Sequence, residues 1–195
     1  MRILIACEYS GISRRAFEKL GHEVWSADFE PAEDGAANHY QGDCFDLINS
    51  QHFDLMLAHP PCTDIAVSGA AWFKEKIADG RQQRALDFVK KLMDAQIAKI
   101  AIENPVSVIS SKIRKPDQII QPWMFGHLEQ KATCLWLKNL PKIVETNNVK
   151  NEMMLLPKRE RERMHYLPPS PTRWKERSRT YKGIAEAWAN QWGKE

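Results

Sequence analysis

The chain has 195 residues, 43% of them hydrophobic and 27% charged. That is enough apolar sequence to bury one core, and the balance argues against wholesale disorder. No apolar run approaches ~18 residues, and the four cysteines lack zinc-type spacing, so a membrane span, a disulfide framework and a metal site are not expected.

In chain order, Met1 to Cys7 reads as a first buried strand, with no small-residue cleavage pattern of a signal peptide. Ser13 to Leu20 has helical spacing, with Ser13 as cap and Gly21 as stop. Glu23 to Asp28 and Phe53 to Ala58 read as strands two and three. Gln82 to Ala95 is an amphipathic helix, Ile97 to Ile102 another buried strand, and Lys131 to Leu137 one more. Asn147 to Pro171 is Pro-rich, charged and weakly patterned, and reads as a long loop or small insertion. Gly183 to Trp192 closes the chain as a helix. Strands alternating with helices predict an α/β fold with a mostly parallel sheet, here as one domain over 1–195 with 147–177 a basic loop or small insertion. In such sheets ligands sit at the carboxyl ends of the strands. Glu8 to Gly11, Pro60 to Thr63 and Glu103 to Pro105 all lie at such ends and should converge on one cleft.

Charge is uneven. Lys158 to Lys182 carries nine Lys or Arg against three Glu, more than the whole formal charge of +3. A basic patch on a slightly acidic body suits a polyanion such as nucleic acid, or it is a solvated surface loop.

The strongest local feature is His59-Pro60-Pro61-Cys62-Thr63-Asp64-Ile65-Ala66-Val67-Ser68-Gly69. A Cys after Pro-Pro at a strand end is presented to a cleft. Metal binding through His59 and Cys62 would need a second Cys where Ile65 stands, and an H-x-E that does not occur. Methylation of an amino group would want an aromatic residue at the Cys62 position to stack the base. Nucleophilic catalysis by the thiolate remains, beside an inert packed Cys.

These motifs resemble those of the DNA cytosine 5-methyltransferases. That family's nucleophile motif looks like G-P-P-C-Q-G-F-S-x-A-G, and its second catalytic motif is E-N-V after a buried strand, here Glu103-Asn104-Pro105. The run Cys7-Glu8-Tyr9-Ser10-Gly11-Ile12-Ser13 is similar to D/E-L-F/Y-S/A-G-x-G-G, with the acid displaced by one place and Ser13 at a glycine position. Asp28-Phe29 resembles the acid-aromatic pair, Gly42-Asp43-Cys44 the G-D-I/V element, and Gly183-Ile184-Ala185 the final G-N-A-V-P motif. The likeness covers residues 1 to about 140 and 178 to 193. It implies a Rossmann-like fold, S-adenosyl-L-methionine as cofactor, DNA as partner and an enzyme; the cysteine usage, with no sign of secretion, separately makes a reduced, cytoplasmic chain the expectation. The likeness implies Cys62 as nucleophile, with Glu103, held protonated or sharing a proton, as the acid at ring nitrogen 3, burial raising its pKa, and Lys131 assisting. Cofactor contacts would come from Tyr9, Ser10, Gly11, Asp28, Phe29, Asp43, Pro60 and Ala185. Substrate contacts would come from Pro61, Asn104, Thr133, Arg159, Arg161 and Arg163.

Two departures stand out. The family's Q-x-R-x-R strand is Gln130-Lys131-Ala132-Thr133-Cys134 here, so Lys131 and Thr133 stand in for the arginines without the guanidinium fork. Only about 45 residues lie where the family has a target-recognition domain. The basic run, with Tyr166, Trp174 and Tyr181 interleaved, is the remaining candidate for DNA contact, unless a second copy or a partner subunit supplies recognition. Alternatives are a free pyrimidine nucleotide as substrate, another transferred group, or a non-catalytic nucleic-acid-binding module.

Overall fold

The computed structural model describes residues 1–194. Seven strands form one sheet: β1 (Arg2–Ala6), β2 (Glu23–Asp28), β3 (His39–Gln41), β4 (Leu55–Ala58), β5 (Lys99–Pro105), β6 (Gln118–Ile120) and β7 (Thr133–Lys138). Their order is β3-β2-β1-β4-β5-β7-β6. The first five run parallel, whereas β7 lies antiparallel between β5 and β6. The expected α/β class with a mostly parallel sheet is what the chain forms. The edge strands β3 and β6, each of three residues, carry too little pattern to be read from sequence.

Side chains alternate across the sheet as a period of two requires. From β1, Leu4 and Ala6 join Met56, Ala58, Ile100 and Ile102 on one face. That face is covered by α2 (Cys44–Ser50), α4 (Arg81–Met93) and the short α5 (Ile109–Lys112). Ile3, Ile5, Leu55, Leu57 and Ala101 point to the other face, under α1 (Ile12–Glu18) and α10 (Lys182–Trp192). Both faces being covered explains the near-continuous apolar strands. Trp188 and Trp192 stack 5.9 Å apart and, with Phe17, fill that second core. Gly183 is required by close packing: a Cβ there would stand 2.1 Å from the Phe125 carbonyl oxygen.

One local expectation needs correction and another is narrowed. Ser13 does not cap α1. The N-cap is Gly11 in the left-handed region (φ 68), and the buried Glu8 carboxylate accepts from the N–H groups of Ser13 (2.7 Å) and Arg14 (3.2 Å). A carboxylate in that place satisfies two free N–H groups at once and also answers the positive end of the helix. Of the two forms expected for Asn147 to Pro171, the stretch takes that of a small helical insertion rather than an open loop. It holds α6 (Lys150–Leu155), α7 (Lys158–Arg161) and α8 (Arg163–Tyr166), and α9 (Arg173–Ser178) follows. Single turns fall below what periodicity can reveal. No described helix is long and apolar enough to cross a membrane.

Candidate active site

The parallel register places Ala6, Ala27, Ala58 and Ile102 side by side, so β1, β2, β4 and β5 end along one edge. Thr133, at the start of β7, pairs with Pro105 and brings Lys131 to the same edge. The three expected strand-end motifs therefore converge.

Cys62 is held in a turn braced from several sides. Its carbonyl accepts from Ile65 (3.1 Å) and Ala66 (2.8 Å). Lys76, from α3 (Phe73–Ala78), is buried and donates to the Thr63 carbonyl. Asn104 is buried and donates to the Pro60 carbonyl at 2.8 Å, tying the Cys62 turn to β5. Val67 N–H to Val106 carbonyl (3.0 Å) and Val108 N–H to Ile65 carbonyl (3.0 Å) fasten the two loops together. Asn104, expected to contact substrate, thus spends its amide N–H on the turn that carries Cys62. Thr133 is likewise buried, with its hydroxyl on the Lys131 carbonyl, and Pro60 is buried while Pro61 is exposed.

Burial pushes the Cys62 thiol up, the Glu103 charge pushes it further, and Lys131 and Arg177 pull it back. Glu103 departs from expectation. Burial alone would raise it, but a hydrogen bond from His59 and the charges of His59 and Lys131 win, and its carboxyl lies below the ordinary range. His59 Nδ1 is 3.0 Å from Glu103 Oε2, and the two side chains are 9% and 18% exposed. Glu103 is therefore ionised, not held protonated by burial. His59 and Arg177 were not assigned these roles from sequence. His59 is 44 residues from its partner, and only the strand order brings them together.

The cofactor-side residues divide. Asp28 ends β2, with its carboxyl raised by burial despite the Glu30 N–H at 2.9 Å. Phe29 beside it is 74% exposed. Asp43 caps α2 through the Phe45 N–H at 2.9 Å and is itself exposed. Gly11 makes the left-handed turn before α1. Ser10 is buried, with its hydroxyl on Glu8 at 3.2 Å. Ala185 is fully buried in the core on α10 and does not reach the strand-end surface. Cys7, at φ 59, packs against the core, its thiol pushed up by the neighbouring Cys44 and by burial.

Tyr9 is covered by α9. Its hydroxyl donates to the Lys175 carbonyl at 3.1 Å, and its ring lies 5.9 Å from Trp174. Lys175 pairs with Glu30 at 2.8 Å, Arg179 pairs with Glu33, and Lys131 donates to the Arg177 carbonyl at 2.8 Å. The second half of the basic run is thus a clasp over the strand ends rather than a free arm. In the first half, Arg163 pairs with Glu129 at 3.1 Å and the Arg161 carbonyl accepts from Gln130 N–H, while Arg159 is exposed.

A seven-stranded, mostly parallel sheet of this order is a Rossmann-like α/β fold. Among solved structures, the chain is similar to a candidate DNA modification methyltransferase encoded within a prophage (E. coli), at 17% identity and a TM-score of 0.52. The match covers 81% of this chain, which spans 56% of that structure's length. No family model and no curated protein matches the chain.

Proposed function

We propose that the protein methylates carbon 5 of cytosine, using S-adenosyl-L-methionine and a covalent adduct at Cys62. The observation that carries this reading is the placement of Cys62 and Glu103 on adjoining strand ends, close enough for the Glu103 charge to act on the thiol. A thiol beside an ionisable carboxyl is the pair needed to add to carbon 6 and to neutralise the charge arriving at ring nitrogen 3. Lys131 and Arg177 supply the positive charge that favours the thiolate, in place of the arginines missing from the β7 strand. Bound cofactor would supply an electrophilic methyl group to carbon 5. The chain's features fit such a group: an exposed Phe29 offers a face to an adenine, and Asp28 offers a carboxylate to ribose hydroxyls. The similar prophage structure, described as a DNA modification enzyme, supports DNA as the substrate.

A second reading, a free pyrimidine nucleotide as substrate, draws support from the clasp. Lys175, Arg179 and Arg163 are already paired within the protein, which leaves fewer cations for a phosphate backbone. The test is DNA containing 5-fluorocytosine, with 5-fluoro-dCMP alongside. Fluorine at carbon 5 cannot leave as a proton, so with cofactor present a covalent adduct should accumulate on the Cys62 peptide. The substrate that gives the adduct separates the readings, and no adduct on either removes both.

A further inference from the structure

We propose that His59 is the proton reservoir of Glu103, a positioning residue that keeps one exchangeable proton at the carboxyl facing the substrate ring. The inference rests on the cytosine reading above.

Where the resembling motif has Gly before Pro-Pro-Cys, this chain has an imidazole. Its Nδ1 is 3.0 Å from Glu103 Oε2, and its Nε2 is 3.5 Å from the hydroxyl of Ser13, which is fully buried. Its ring lies 5.8 Å from that of the buried Trp188, at 40°. The imidazole is thus held between β4, β5, α1 and α10, with one nitrogen committed to the carboxylate. A hydrogen bond between these two groups contains one proton, on His59 when Glu103 is ionised. The other charged or titratable groups acting on Glu103 or facing it are Lys131, Cys62 and Cys134. Lys131 Nζ is engaged with the Arg177 carbonyl. Among the described residues, His59 is the one titratable side chain hydrogen-bonded to Glu103.

The consequence is a defined route. The Cys62 thiolate forms a bond to carbon 6, and the carbon 5–carbon 6 π pair moves into the ring toward nitrogen 3. Nitrogen 3 takes a proton through Glu103 as the carboxylate takes the Nδ1 proton of His59 in its imidazolium form, so Glu103 ends ionised as it began and the imidazole is left neutral. Reversal breaks the carbon–sulfur bond, restores the thiolate and returns the proton from nitrogen 3 through Glu103 to His59. While the adduct lasts, carbon 5 can gain a solvent proton and lose its own, so its hydrogen exchanges with water without any methyl transfer.

That exchange is the test. Tritium release from carbon 5 of labelled cytosine in DNA and in dCMP is followed across pH without cofactor, in wild type and in His59→Asn. The Asn amide keeps a hydrogen-bond donor for Glu103 but has no ionisable proton. The expected result is release by wild type with a limb that falls as pH rises. In His59→Asn, release should drop roughly 100-fold or more, as for loss of a general acid, and that limb should vanish. A purely structural His59 would leave the limb in place, and an unchanged limb in the folded variant overturns the inference. If His59→Asn does not fold, the wild-type protein still decides. The midpoint of the limb must coincide with the His59 imidazole titration followed by NMR, and a separation of about one pH unit or more overturns the relay. If wild type releases no tritium from either substrate, the cytosine reading itself falls.

Discussion

Cys62 begins as a thiol in this structure, because burial and Glu103 outweigh Lys131 and Arg177. Reaction with iodoacetamide near neutral pH should therefore be slow and should quicken as pH rises. Lys131→Ala and Arg177→Ala should each slow it several-fold, and Glu103→Gln should speed it, read by mass spectrometry of the Cys62 peptide. No change in any of the three would mean that these charges do not reach the sulfur. Glu103 makes a separate claim about stability. Its folded carboxyl is lowered, so its pairing stabilises the protein above the usual carboxylate pKa of ~4.3 and is lost as pH falls through the folded value. Glu103→Gln should thus be less stable than wild type at neutral pH, with the gap closing in acid, as measured by denaturant melts. The placement of Cys62 and Glu103 at one sheet edge was legible because each sits in a short motif at the end of a patterned strand, whereas the lowered Glu103 carboxyl was not. The contacts of His59 and Arg177 with this edge were not, since pairing across the sheet or across the clasp leaves no spacing signal in the chain.

At the scale of elements, the long pieces were readable and the short ones were not. Expected strand Glu23 to Asp28 is β2 itself, and the Gln82 to Ala95 helix is α4 shifted by one or two residues. The three-residue strands and the single-turn helices α5, α7 and α8 draw their stability from neighbours, so local pattern cannot reveal them. The same reasoning separates α9 from α10. The six-residue α9 has no side-chain cap bond and no buried residue, and it is held by the surface pair Lys175–Glu30 and by single contacts from Tyr9 and Lys131. Its amides should exchange with deuterium well before those of α10, whose Trp188 and Trp192 are fully buried. Equal protection would contradict a weakly held clasp. Trp192→Ala should cost about 3–5 kcal/mol in a denaturant melt, the usual range for removing a large buried aromatic.

For the whole molecule, the basic segment is the point where the sequence expectation changes most. Charge alone suggested a polyanion-binding arm, and folding spends several of its cations on Glu30, Glu33 and Glu129. The exposed Lys158 and Arg159 are the better probes of DNA binding. Reversing both to Glu should weaken binding to all DNA sequences alike and lower the salt slope by about 1 for every phosphate no longer neutralised. Turnover on a free nucleotide should be unchanged. Asp28→Ala should weaken S-adenosyl-L-methionine binding in calorimetry without unfolding the sheet, since Asp28 lies at a strand end and not in the core.

The central claim is that Cys62 drives methylation at carbon 5 of cytosine. Its most direct test is nucleoside mass spectrometry after incubating wild type or Cys62→Ser with S-adenosyl-L-methionine and DNA or dCMP. The expected result is 5-methylcytosine from wild type and none from Cys62→Ser, with cofactor binding equal in the two proteins. No modified cytosine from wild type, methyl on the exocyclic amine, or equal yield from Cys62→Ser would contradict it.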